Sequence, residues 1–162
     1  MLRYLWASPA SLLGLLVVVI AGRRARLAVV DGILECHGPT LASALRVCTP
    51  LAGGAAAITL GHVVIARDQS ALDATRIHER VHVRQYERWG PCFIPAYLLA
   101  SAWVALRGGD PYRDNPFERE AFRIEGLSGS AMPTDRAPHL GAVGAAFAPR
   151  QTRRSDQRPA GR

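Results

Sequence analysis

The stretch "RIHERVHVRQYERWG", Arg76 to Gly90, places His78 and His82 four residues apart, with Glu79 directly after the first. On a helix, side chains four apart project side by side, so both imidazoles can reach one ion. Glu79 is rotated aside by one residue. It is badly placed to ligate and well placed to take a proton from a water on the ion. The chemistry this suggests is hydrolysis assisted by a metal, with Zn2+ as the ion.

The helical period supports that reading. Advancing about 100° per residue from Leu72 gathers Arg76, Arg80, Arg84, Arg88, Asp73 and Glu87 on one water-facing arc. The opposite arc holds Leu72, Ala74, His78, Val81, His82, Val83, Gln85, Tyr86 and Trp89. Glu79 is the only acid on that arc, near one edge. A buried unpaired charge costs several kcal/mol or titrates to neutrality. A divalent ion satisfies all three groups at once.

Two histidines and an open position for water leave a third protein ligand to be found. Gln85 and Arg88 stand where the extension HExxHxxGxxH would need Gly and His, so that version is excluded. The other source is "DNPFEREAFRIE", with Glu118, Glu120 and Glu125. Phe117, Ala121, Phe122 and Ile124 define its inward arc. Glu118 and Glu125 fall within it, and Glu120 lies at the edge beside Arg119 and Arg123. Glu118 is the expected ligand. It also stands at capping-box spacing from Asn115, where it would bond back to the backbone instead. His62, Tyr86, Tyr97 and Tyr112 are candidates for stabilising an oxyanion, although each tyrosine also suits amphipathic packing.

The elements that must position these groups are readable around them. Asp68 or Ser70 can cap the histidine helix, and Gly90-Pro91 stops it after Trp89. "ITLGHVVIA" before it reads as one strand, Ile58 to Ala66, with Gly61 as a bulge. A membrane span over Leu51 to Ala66 is the other reading. Leu27–Val30 and Ile33–His37 flank Asp31-Gly32, the favoured two-residue hairpin turn. Leu41 to Val47 reads as a short helix. An apolar helix from about Pro95 to Leu106 is too short to cross a bilayer comfortably. The last helix starts with Asn115 as cap and Pro116 in the first turn. The expected class is α+β: a small domain of active-site helix, edge strand or hairpin and two further helices.

At the N-terminus, Tyr4 to Ala21 is an apolar run just long enough to span a bilayer. Arg23, Arg24 and Arg26 follow it, against Arg3 before it, which places that side in the cytoplasm. A cleaved signal peptide is the rival. The division expected is an anchor over residues 1–24, a metal-binding domain over 25–125 and a disordered basic tail over 126–162.

The chain has 162 residues and a formal charge of +7. Gly126 to Arg162 carries six arginines and two aspartates, a formal +4. There is no lysine, so the bias reads as composition and the tail as solvated. No aromatic-rich basic motif for nucleic acid occurs, and no nucleic-acid partner is expected. Cys36, Cys48 and Cys92 form no CxxC pair and read as buried small residues in a reducing compartment.

"HERVH" resembles the HExxH of gluzincin-type zincin metallopeptidases, and "EREAF" resembles the second motif of their membrane-bound members, the CAAX-prenyl endopeptidase and antibiotic-sensor kinds. The likeness covers about Ile58 to Glu125. "HVRQYERWGP" resembles a stretch of small bacterial proteins with an HExxHxxQ motif. The resemblance implies zinc on His78, His82 and Glu118, Glu79 as proton acceptor, and an edge strand that holds the substrate. Phe122 stands where the family has an aspartate that orients a ligand histidine. Asp114, Glu125 or a backbone carbonyl must then supply that acceptor.

The function expected is that of a membrane-anchored zinc metallopeptidase on the cytoplasmic side of a bacterial inner membrane. Its partners would be the membrane and a peptide or protein substrate. The alternatives are an inactive metal-binding sensor or interaction module, and a structural membrane protein without metal.

Overall fold

The structure is a computed structural model that describes residues 2–49 and 54–129. It is α+β. Helix α1 (Leu2–Ala21) leads through a short 3-10 turn into the strands β1 (Arg26–Val30) and β2 (Ile33–His37). Helix α2 (Pro39–Cys48) follows, then β3 (Ala57–Leu60) and β4 (Val63–Ala66). Helix α3 (Gln69–Trp89) carries the two histidines. A 3-10 turn at Gly90–Cys92 leads to α4 (Phe93–Leu106), and α5 (Pro116–Gly129) ends the described chain.

The sheet order is β1-β2-β4-β3. β2 and β4 run parallel, connected through α2 and β3, and the two outer pairs are antiparallel hairpins. The first hairpin is the expected one: Val30 faces Ile33, and Asp31 and Gly32 take φ of 52° and 79°. Both values are left-handed, as a type I′ turn requires.

The second hairpin corrects the single strand expected over Ile58 to Ala66. Leu60 pairs with Val63 across a Gly61-His62 turn, with Gly61 at φ 63°. Glycine at the first turn position is the type II′ solution. The near-continuous apolar run hid the turn because β4 is buried at every residue, so it lacks the alternation of a strand with one wet face. Ala57–Ala66 lies in the sheet rather than in a span; residues 51–53 lie outside the described residues.

Alternation along the strands divides the core into two layers. Cys36, Val63 and Ile65 face α1 and α2, where they meet Val18, Ala21, Leu41 and Leu45. Ile33, Val64 and Ala66 face α3, where they meet Leu72 and Val83. A smaller cluster of Ala7, Ala10, Tyr86 and Phe93, flanked by Tyr97 and Phe117, joins α1, α3, α4 and α5. Helix α1 therefore reaches both the sheet and the end of α3. Its inner stripe is made mostly of small residues, Ala7, Ala10, Gly14, Val18 and Ala21, a period-3.6 pattern that permits close approach.

Several boundaries are as expected. Asp68 caps α3 by accepting from the Ala71 amide at 2.8 Å, and Gly90 at φ 57° ends it. Helix α5 runs to Gly129, past the expected start of the tail at Gly126; residues 130–162 lie outside the described residues. Cys36 is buried, whereas Cys92 is exposed, contrary to the expectation for all three cysteines. Cys48 falls at the end of α2.

Candidate metal centre

The centre lies between α3 and α5. His78 and His82, one turn apart on α3, bring their Nε2 atoms to 3.1 Å of each other. From α5, one Glu118 oxygen lies 3.1 Å from His78 Nε2. The other lies 3.5 Å from His82 Nε2. One ligand atom from each of the three residues lies within 4.8 Å of the other two, and all three residues are buried. This group could hold a metal ion.

Glu118 was also a candidate for the helix cap. Asn115 makes the cap by accepting from the Phe117 amide at 2.9 Å, while its own amide donates to the Tyr112 carbonyl at 3.2 Å. The Glu118 carboxylate turns inward instead. Asn115 also fixes where α5 begins: its side-chain amide donates to the Tyr97 carbonyl and to Ser101 Oγ on α4.

The outer nitrogen of each imidazole is engaged as well. His82 Nδ1 meets Gln85 Oε1 at 2.8 Å, and His78 Nδ1 meets Glu125 Oε2 at 3.3 Å. A Gln carbonyl oxygen and a carboxylate oxygen accept, so both rings donate from Nδ1 and turn Nε2 to the shared centre, where Glu118 accepts from a protonated Nε2 when no ion is bound. Glu125 thus supplies the His78 acceptor that Phe122 lacks the chemistry to provide. Phe122 packs against the His78 ring instead, with centroids 4.8 Å apart. No residue besides Glu125 among the acceptors anticipated for that role is bonded to His78 among the described residues; Asp114 accepts from the Asp110 amide.

Gln85 is the residue that sequence reasoning missed. Its Oε1 takes the His82 proton while its Nε2 donates to the Phe117 carbonyl at 3.0 Å and to Glu120 at 2.9 Å. One fully buried amide therefore orients the His82 ring and ties α3 to α5. Its signal was present: it lies on the same inward arc as the histidines, where a polar side chain needs partners.

Electrostatics bind the three groups into one unit. Burial opposes charge on His78, but hydrogen bonds with Glu118 and Glu125 outweigh it and push its titration up to about 10. His82 moves in the same direction, again against burial and through Glu118. Facing Nε2 atoms 3.1 Å apart have room for one proton between them, so the upward shift belongs to the pair. Burial alone would raise the Glu118 carboxyl. Hydrogen bonds from His78 and His82 overcome it and hold the group down at about 2.

Glu79 is buried beside the centre. Its Oε2 accepts from the Thr59 hydroxyl on β3 at 2.6 Å. β3 is the edge strand of the sheet on the α3 side, so the strand expected next to the site is there. Tyr97 donates to Glu118 Oε1 at 2.7 Å, and Tyr112 also bonds Glu118, with burial and that carboxylate raising its phenol. The other two candidates are engaged differently. Tyr86 packs against Phe93 with centroids 4.4 Å apart. His62 stacks on Tyr4 and pairs with Glu87 at 3.2 Å, at the foot of α1.

No family model, curated protein or solved structure matches the chain.

Proposed function

We propose that the chain is a membrane-attached zinc peptidase that hydrolyses peptide bonds at the His78–His82–Glu118 centre. The observation that carries this is the spacing of the ligand atoms. Bonds of about 2.0–2.1 Å in a tetrahedral zinc site set neighbouring ligands roughly 3.3 Å apart. Here the two Nε2 atoms are 3.1 Å apart, one Glu118 oxygen is 3.1 Å from His78 and the other 3.5 Å from His82, and one atom from each residue lies within 4.8 Å of the other two. Two imidazoles with their Nδ1 protons tied outward, and one carboxylate, are the donor set of a catalytic zinc with its fourth position open.

Zinc bound there would polarise a carbonyl and make a water acidic near neutral pH. The chain's own groups supply the rest. Thr59 fixes one oxygen of Glu79, which orients the carboxylate as the base that accepts a proton and later passes it to the leaving amine. Tyr97 and Tyr112 place O–H donors on the Glu118 side, where negative charge would develop. β3 suits an extended peptide added to the sheet beside Glu79.

Attachment is argued from α1. Tyr4–Ala21 is long and apolar enough to cross a membrane. Cleavage after Ala21 would remove Ala7, Ala10 and Val18 from two core clusters, so we read the helix as retained. If the helix spans, the arginines that follow it put the domain on the cytoplasmic side.

The test is metal content followed by hydrolysis. Purified chain carries close to one zinc, and His78→Ala carries almost none. Glu79→Gln keeps the zinc and loses hydrolysis of an unfolded protein substrate. Bound zinc with no Glu79-dependent hydrolysis would instead make the chain a metal-binding module, and no zinc in the native chain would end both readings.

A further inference from the structure

The exposed apolar groups of this chain lie where a helix crossing a bilayer would not need them. Helix α1 packs along its whole length: Ala7 and Ala10 against Tyr86 and Phe93, Gly14 against Val63 and Leu60, Val18 and Ala21 against the sheet core. Its outer side presents Leu5, Leu12, Leu13, Leu15, Leu16, Val19 and Ile20 to the exterior. Were this helix to cross the membrane, the sheet docked along it would lie at bilayer depth.

The strand register adds a second observation. Leu27 and Val29 of β1 pair with Cys36 and Leu34, so they point to the sheet side that α1 covers. Both are exposed. The opposite side of the sheet is covered by α3, whose exposed residues include Asp73, Arg84 and Arg88. Exposed apolar residues of α1 and β1 thus gather on one side of the sheet, bordered by Arg46 of α2, while α3 on the other exposes charged groups beside Ile77 and Trp89, an asymmetry that suits a body resting on a membrane surface.

Helix α4 adds a third. From Phe93 to Leu106 it carries no charged residue and buries only Phe93, while Ile94, Leu98, Leu99, Trp103 and Leu106 are exposed. Its 14 residues rise about 21 Å, short of the roughly 30 Å of a hydrocarbon core. At its end the Arg107 guanidinium sits 4.3 Å over the Trp103 ring, the pairing of cation and aromatic ring found at headgroup level.

We propose that the chain is monotopic: α1 lies in the plane of one leaflet, with its outer side and α4 immersed in lipid, and does not cross. This rests on the membrane attachment proposed above and replaces a spanning anchor by a surface one. The partner is the bilayer itself. The metal centre is then held at the leaflet surface, because Tyr97, which bonds Glu118, lies on the same helix whose outer residues meet lipid.

The test uses the full chain with Cys48 and Cys92 changed to serine, in sealed membrane vesicles. A cysteine is placed at the start of α1, as Arg3→Cys, or just beyond its end at the start of β1, as Arg26→Cys, and exposed to a membrane-impermeant maleimide. Both ends are expected to react from the same side. Reaction from opposite sides would overturn the proposal and leave a spanning anchor, with the peptidase reading untouched. A second measurement needs no cysteine: with Trp6 and Trp89 changed to Phe, Trp103 should be quenched several-fold by phosphatidylcholine brominated on its acyl chains. Unquenched Trp103 in membrane-bound chain would also overturn it, as would a chain that does not bind membranes, which would remove the attachment too.

Discussion

Gln85 accepts the Nδ1 proton of His82 across 2.8 Å while its amide nitrogen holds Glu120 and the Phe117 carbonyl. A ring whose outer nitrogen is fixed cannot flip, and its Nε2 is committed to the centre. The amide accepts at one end and donates at the other, whereas leucine does neither and a carboxylate only accepts. Gln85→Leu should therefore weaken zinc about 10–100-fold. Gln85→Glu should weaken it as well, since the new carboxylate faces Glu120. A competition titration against a chromogenic chelator reads both. Native affinity in the Glu variant would show that the amide's donor end is unimportant.

His78 depends in the same way on Glu125, but through a longer contact of 3.3 Å. Glu125→Gln retains an acceptor, and Glu125→Ala does not. Zinc affinity should fall in that order, with the Ala variant losing roughly 10-fold or more. Equal affinities in the two variants would assign the orientation of His78 to the packing of Phe122 alone.

The metal-free chain should show a characteristic stability profile. His78 titrates near 10 in the fold against an ordinary 6.5, so its contribution is complete below 6.5 and disappears as pH rises towards 10. Glu118 titrates near 2 against 4.5, so its contribution is complete above 4.5 and disappears as pH falls towards 2. With chelator present, denaturation midpoints should peak between these limits and decline into alkali. Zinc should cancel the alkaline decline, because the ion binds the neutral rings. A flat alkaline limb without metal would contradict the assignment.

Thr59 offers a way to separate Glu79's role from metal binding. Thr59→Val removes the hydroxyl that holds Glu79 Oε2 and preserves shape. Zinc content should be unchanged, and the rate of peptide hydrolysis should drop about 10-fold or more, with Glu79→Gln lower still by roughly 10²–10⁴ relative to the native chain. Loss of zinc in Thr59→Val would place Glu79 among the ligands.

Gly61 holds the second hairpin against α1. Its φ is 63°, and an added Cβ would collide with Ser11 and the Ala7 carbonyl. The neighbouring His62 amide donates to Ser11 Oγ at 3.0 Å. Gly61→Ala should cost about 1–3 kcal/mol, a fall in midpoint of roughly 2–8 °C per kcal/mol. Proteolysis between α1 and β1 should rise with it. An unchanged midpoint would mean that α1 is not seated on that turn.

Much of the centre was legible because periodicity reports which side of a helix is buried. His78, His82 and Glu118 each fell on an inward arc, and burial of three ionisable groups on two helices leaves few ways to satisfy them. The first hairpin was legible because Asp31-Gly32 has few other uses. The second was not. Gly61-His62 is a weaker turn signal, and a strand covered on both faces shows no alternation. Gln85 and Thr59 were unassigned for a different reason. Their roles depend on which atoms of another residue they meet, and a helical wheel gives direction but no distances.

The position of α1 in the fold also bears on how the chain is made. The helix leaves the ribosome before the surface that receives it, since Gly14 and Ala7 meet Leu60, Val63, Tyr86 and Phe93, all translated later. On the membrane attachment proposed above, its apolar outer side meets lipid during synthesis, and arrival at the membrane precedes folding of the domain. Ribosome-bound chains ending before Gly61 should already be captured by membranes.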